Sequence, residues 1–269
     1  MPDGGGIHKF AFLTPCSSPT ILDLASCVAK YQKRLKLINI PTDLTMAITE
    51  LALLHLNKPV GSDEELSLAL RDAKLAMEAF TGYPFSFLIQ QEDPSFVYVL
   101  GTWESLTQHV DDWIPSDENQ AILKLIEGKV EVEWLIHLDI DPTESLQASQ
   151  AGFSLVDAPA MVIVRHFVNS GKTNKFINGF TSGTDTRKDV TVPFYLRSSR
   201  RIDIETKDGH GPGEQELPRK EKEEFVSFFT WQGLVNFPML SETEGFEKYE
   251  RVVEFLDGFD VKHVKKWEL

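Results

Sequence analysis

Cysteine is nearly absent from this chain of 269 residues, which carries two, Cys16 and Cys27. Two thiols cannot build a disulfide framework, and no Cys-x-x-Cys or Cys/His spacing suggests zinc. A reducing, cytoplasmic setting is the expectation. Positive charge is also short: 27 Lys and Arg stand against 41 Asp and Glu, a formal net charge of −14. That balance argues against nucleic acid, whose binding is driven by phosphate neutralisation, and against docking on anionic lipid. No apolar run reaches the ~20 residues of a membrane span. The stretch "FAFLTPCSSPTILDLASCVAK" is broken by Pro15, Pro19 and Asp23, which argues against a secretion signal. Missing too are a dinucleotide fingerprint, a phosphate loop, a serine nucleophile elbow and a metal-binding helix motif. The "GHGPG" run lacks phosphate-loop spacing and "RKEKEE" reads as a solvated charge run. No metal site is therefore expected. Chemistry would fall to a general acid or base, to the substrate's own reactivity, or to haem.

What is present is strong patterning from Thr45 onward. "TMAITELALLHL" is apolar on both faces, as a strand covered on both sides would be. Ser62 and Glu65 form an S-x-x-E capping box. The helix it opens carries Leu66, Ala69, Leu70, Ala73, Ala76 and Phe80 on one stripe. "FSFLIQQ" and "FVYVLGTW" flank a turn and read as a hairpin. "ESLTQHVDDW" is helical, with Leu106, His109, Val110 and Trp113 on one face, and Pro115 stops it. Ser116 starts a further helix that ends at Gly128. "VEVEWLIHLDI" is a strand in which Val130, Val132, Trp134 and Ile136 alternate with Glu131, Glu133, Leu135 and His137. The order is β-α-β-β-α-β, the ferredoxin-like arrangement.

The same order recurs. "AMVIVRHFV" is a strand and "TNKFINGF" a helix. "VPFYLRSSRRIDIE" and "EEFVSFFTW" are strands around a Gly/Pro/charge-rich loop over 207–222. A helix opens at Ser241, Gly258 ends it, and "DVKHVKKWEL" is the last strand. "VLGTWESL" matches "SFFTWQGL", so Trp103 corresponds to Trp231, and at nearly the same offset Gly128 corresponds to Gly258. The expected organisation is an unpatterned extension over 1–41, a first repeat over 42–141 and a second, divergent repeat over 155–269. Each unit has one bare apolar sheet face that must be covered. The fold class expected is therefore α+β: two tandem ferredoxin-like repeats packed sheet to sheet within one chain.

A β-α-β-β-α-β unit whose third strand ends in "GTWES", with His109 six residues after Trp103, resembles the antibiotic-biosynthesis-monooxygenase domain of the dimeric α/β-barrel superfamily. The resemblance is strongest over 45–140, weaker over 159–269 and absent from 1–41. Through "WIPSDENQ" and "EWLIHLDI" it extends to two-repeat proteins of filamentous fungi. It implies an intramolecular dimeric α/β barrel, monomeric through its internal pseudo-dimer, with a ligand pocket between helices and sheet. It also implies an enzyme of secondary metabolism. The expected activity is a cofactor-independent monooxygenase acting on an apolar, aromatic or polyketide-like small molecule. A cyclase or dehydratase using the same parts, and a non-catalytic ligand-binding or stress-related barrel, remain open. Haem would need a histidine ligand held from behind by an acceptor.

The candidate catalytic residues are His109 and His55, and the candidate substrate walls are Trp103, Trp113, Tyr98 and Tyr83. His109 stands out because Phe237 occupies its position in the second half, so only the first half can transfer a proton there. A helix histidine pairing with Asp112 or Glu104 is the alternative. Trp103 and Trp231 are kept in both halves, as a packing residue would be. His55 and His166 lie near the ends of the two first strands. The resemblance implies that strand-one histidines such as these can serve as bases, as in some cyclases of the superfamily; a satisfied core histidine is the alternative for both. His137, beside Glu133 and Asp139, reads as surface.

Overall fold

The computed structural model describes residues 47–140, 152–184, 194–203, 223–231 and 252–269. The extension over 1–41, the loop over 207–222, Phe237 and the helix expected at Ser241 lie outside the described residues. Among the described residues eight strands are present: β1 (Ile48–Leu56), β2 (Ser86–Gln90), β3 (Phe96–Trp103), β4 (Val130–Leu138), β5 (Ala160–Val168), β6 (Phe194–Arg200), β7 (Glu223–Trp231) and β8 (Leu256–Lys266). They form one sheet in the order β4-β1-β3-β2-β8-β5-β7-β6, with antiparallel pairing throughout. The outermost strands of that order also meet. Leu138 bridges to Arg201, and the Ile202 N–H donates to the His137 carbonyl at 2.9 Å. The sheet thus closes on itself and leaves little free edge.

Helix α1 (Glu64–Thr81) covers the first half of the sheet. Its N-cap is Asp63, whose carboxylate accepts from the Leu66 N–H at 2.9 Å. The cap therefore lies one residue past the expected Ser62 box, and Glu64 and Glu65 fall in the first turn, where they complement the helix dipole. Gly82 ends the helix at φ 74°, a left-handed conformation that suits glycine. Helix α2 (Asp117–Leu125) is capped by Ser116 as expected, the serine accepting from the Asn119 N–H. Helix α3 (Thr173–Thr184) lies in the second half. Between β3 and α2 the chain makes a π-helical turn, Gln108–Trp113.

Three apolar clusters follow from strand alternation. Leu51, Leu53, Tyr98 and Leu100 of the first half meet Met161, Ile163, Val226 and Phe228 of the second inside the barrel. Leu155, Val156 and Ala158 of the segment before β5 join this interior. On the outer face Leu66 and Leu70 pack on Ala52, Val97, Trp103 and Trp113. In the second half Phe176 and Phe180 of α3 pack on Val162, Val164 and Phe229. Each such side chain, fully buried, contributes roughly 1.5–3 kcal/mol.

The uniform alternation expected along β4 is interrupted. Leu53 pairs with Trp134 while Leu54 pairs with Val132, leaving Glu133 as the extra residue of a β-bulge. A one-residue slip exchanges the faces of everything beyond it. Val130 and Val132 accordingly pack under the helices, whereas Trp134, Ile136 and Leu138 point into the barrel. β8 also begins earlier than expected, at Leu256, so Gly258 lies within the strand opposite Phe167 and does not end a helix.

Candidate functional site

Glu50 is a carboxylate inside an otherwise nearly apolar strand. In the register of β1 it stands between Gly101 on β3 and His137 on β4. Gly101 has no room for a side chain, because an added Cβ would come within 1.9 Å of the Phe85 ring. Trp103, two residues on, lies on the same face and donates its indole N–H to Glu50 Oε2 at 2.5 Å. The π-turn then lays the His109 ring flat on Trp103, with centroids 4.1 Å apart and planes 8° from parallel. The wider turn closes with the Ile114 N–H on the His109 carbonyl, at 2.9 Å; π-turns of this kind are frequent at functional sites.

His109 has a partner on each ring nitrogen. Nε2 faces Glu50 Oε2 at 3.5 Å, and Nδ1 lies 2.8 Å from His137 Nε2. The other His137 nitrogen, Nδ1, faces Asp203 Oδ2 at 3.4 Å. Asp203 is held by Arg201, which also reaches Glu224 Oε2 at 3.3 Å, and Glu224 pairs with Arg165. The Arg165 guanidinium sits 3.8 Å over the Trp134 ring. Glu50, His109, His137, Asp203, Arg201 and Glu224 are all buried. The chain of contacts thus runs from the helix face of the first half, across the closure of the barrel, to residues of the second.

Burial sets the protonation of this chain. It pushes the Glu50 carboxyl up, and His137 and the Trp103 N–H offset only part of that. Burial holds the His109 imidazole well below its ordinary value, His137 adds to that, and Asp203 opposes it. Burial would also raise Asp203, but Arg201 and His137 bring it down to about 2. With Asp203 an anion, the facing His137 Nδ1 carries a proton and Nε2 can accept one. His109 then donates through Nδ1 and turns a lone pair on Nε2 toward Glu50. A proton gained at that lone pair can be answered by transfer of the Nδ1 proton to His137, where Asp203 balances the charge.

The candidate residues do not all meet. His109, Trp103 and Trp113 come together, and Phe80 of α1 covers both tryptophans, at 5.1 Å from Trp113 and 6.4 Å from Trp103. Tyr98 is on the opposite sheet face, inside the barrel against Trp134. Tyr83 is half-buried in the loop after α1. His55 is at the far end of β1, stacked on Phe96. His166 is buried among Phe176, Phe180 and Phe225, with Nδ1 3.1 Å from the Phe225 carbonyl. His109 pairs with His137 and Glu50, while Asp112 and Glu104 are exposed.

Two expectations are corrected here. His137 is fully buried rather than on the surface, because the bulge at Glu133 turns it under the helices. The "RKEKEE" run is not wholly solvated, because its last residue, Glu224, is buried between Arg165 and Arg201. Sequence reasoning missed Glu50, Arg201, Asp203 and Glu224. Glu50 could have been found, since a lone carboxylate in an apolar strand is rarely buried without a partner.

These residues do not fit haem. The His109 ring is buried, with Trp103 stacked on it, Trp113 against Trp103 and Glu50 before Nε2, so a group as broad as a haem macrocycle would have to displace all three. Among the described residues no helix is long and apolar enough to cross a membrane.

No protein-family model matches the chain, and a search of curated proteins finds no match. Solved structures do match. A candidate monooxygenase from Lactobacillus acidophilus is similar at 13% identity and a TM-score of 0.52, over 82% of this chain and 94% of that one. A candidate monooxygenase from Fusobacterium nucleatum is similar at 10% identity and a TM-score of 0.56, over 83% and 93%. An anthrone oxidase-like protein is similar at 12% identity and a TM-score of 0.52, over 82% and 92%. At such identities the likeness is one of fold, and that fold is the dimeric α+β barrel.

Proposed function

We propose that this chain is a monooxygenase-type enzyme acting on an aromatic, polyketide-like small molecule, built from two tandem ferredoxin-like repeats. The observation that carries the enzymatic reading is the buried Glu50–His109–His137–Asp203 chain under Trp103. Support for the repeat comes from the strand order, β4-β1-β3-β2 followed by β8-β5-β7-β6. Trp103 and Trp231 also pair with the first residues of β1 and β5, and each half bulges between its first and last strands.

The substrate class is a methylene group activated by a neighbouring carbonyl and aromatic rings. Substrate entering beside the ring displaces the 3.5 Å contact between His109 Nε2 and Glu50 while Nδ1 stays on His137; Nε2 then takes a proton from the methylene group, and the charge passes to His137 beside Asp203. The resulting carbanion supplies electrons to O2, a C–O bond forms, and the returning proton gives a hydroperoxide. Loss of the second C–H proton and cleavage of the O–O bond release water and leave a carbonyl. The substrate supplies all four electrons, so the step needs no other reductant. Entry between α1 and the π-turn requires Phe80, the half-exposed ring over Trp103 and Trp113, to give way.

The test is oxygen uptake with anthrone as substrate. The expected result is anthraquinone formation above the uncatalysed rate, lowered ~10²–10⁴-fold in His109→Gln, the range of a lost general base. The near-complete burial of Trp103 and His109 favours a second reading, a non-catalytic barrel in which the histidines only satisfy packing. No turnover, or equal turnover by His109→Gln, would select that reading.

A further inference from the structure

At the opposite end of β1 from Glu50, and independent of the His109 reading, a second cluster forms on the other sheet face. His55 pairs in register with Glu131, and Glu133 is the bulge residue beside them. The bulge brings three potential ligand atoms, one each from His55, Glu131 and Glu133, within 4.8 Å of one another. Stacking on Phe96, with centroids 4.5 Å apart and planes 12° from parallel, fixes the His55 ring. His55 Nδ1 lies 3.6 Å from Glu133 Oε1. Among the described residues no Lys or Arg is paired with Glu131 or Glu133, so their charge is not balanced by a fixed cation. Asp93 adds a further carboxylate close enough to feel His55.

We infer that His55, Glu131 and Glu133 form a binding site for a divalent transition-metal ion of the zinc class. One imidazole and two carboxylates suit such an ion, whereas calcium and magnesium favour all-oxygen sets. Metal–ligand bonds of about 2.0–2.2 Å require the three atoms to draw closer. The exposed glutamates have the rotamer freedom to do so, and the anchored imidazole sets the centre. Three protein ligands leave an open position for water or a ligand oxygen. The site lies roughly 17 Å along β1 from Glu50, at ~3.3 Å per residue.

The experiment is titration of the chelator-treated full chain with zinc chloride and, separately, calcium chloride, by calorimetry. Zinc is expected to saturate at one ion per chain, with calcium at least tenfold weaker. His55→Ala and Glu133→Gln should each weaken zinc at least tenfold, and His55→Ala should leave calcium unchanged. His263→Ala, which alters another exposed His–Glu pair, should leave zinc affinity intact. Circular dichroism checks folding, and if His55→Ala fails to fold, Glu133→Gln carries the test. Calcium binding as tight as zinc, no saturation at one ion, or zinc affinity unchanged by the folded variants would overturn the assignment.

Discussion

Buried histidines in this protein make opposite demands on their surroundings. His109 and His137 are joined to carboxylates at both ends of a chain, whereas His166 sits in a box of three phenylalanines. Burial lowers the His166 imidazole to about 4, only partly offset by its bond to the Phe225 carbonyl. In the unfolded chain its value returns to about 6.5. Between those two values the unfolded chain binds the extra proton, so this contribution to stability is present above pH 6.5 and is lost as pH falls toward 4. The contribution amounts to about 3 kcal/mol at most. His109 acts in the same sense. Urea unfolding of His166→Phe from pH 7 to 4 should therefore show a smaller loss of stability than the parent. A slope equal to the parent's would mean that His166 is protonated or solvated in the native state.

At the scale of elements, the sequence was most legible where one period ran unbroken. β1, β5 and β7 were expected from their apolar runs and form there, and Ser116 caps α2 as its position suggested. Alternation failed at β4, because a bulge adds one residue without any mark in the composition. That slip alone puts His137 on the face opposite to the one its alternation indicates. The site was legible in part: His109, Trp103 and Trp113 meet, but their partners Arg201 and Asp203 follow β6, far along the sequence, and only barrel closure brings them near. Gly101 in "GTWES" carries no role that the sequence alone reveals. In the fold the Phe85 ring lies where a β-carbon on Gly101 would be. Gly101→Ala should thus destabilise by about 1–3 kcal/mol through overpacking, measured by urea unfolding. A variant as stable as the parent would show that Phe85 can move aside without loss.

For the whole molecule, closure of the eight-stranded sheet has two consequences. It gives both halves one shared interior, and it brings Asp203 to His137, so the candidate site belongs to neither half alone. The His109→Phe substitution, which the second half's Phe237 would make look harmless, should therefore not be neutral. It strips a partner from buried Glu50 and His137, a loss of about 1–3 kcal/mol for each group left unsatisfied. Nitrogen-15 NMR of the histidine rings in the full chain reads where the protons of this contact chain sit, with His109→Gln assigning the resonances. The expected result is a His109 ring that stays neutral well below pH 6.5 with its proton on Nδ1, and a His137 ring whose Nδ1–H faces Asp203. A His109 ring that titrates near 6.5, like an exposed imidazole, would contradict it.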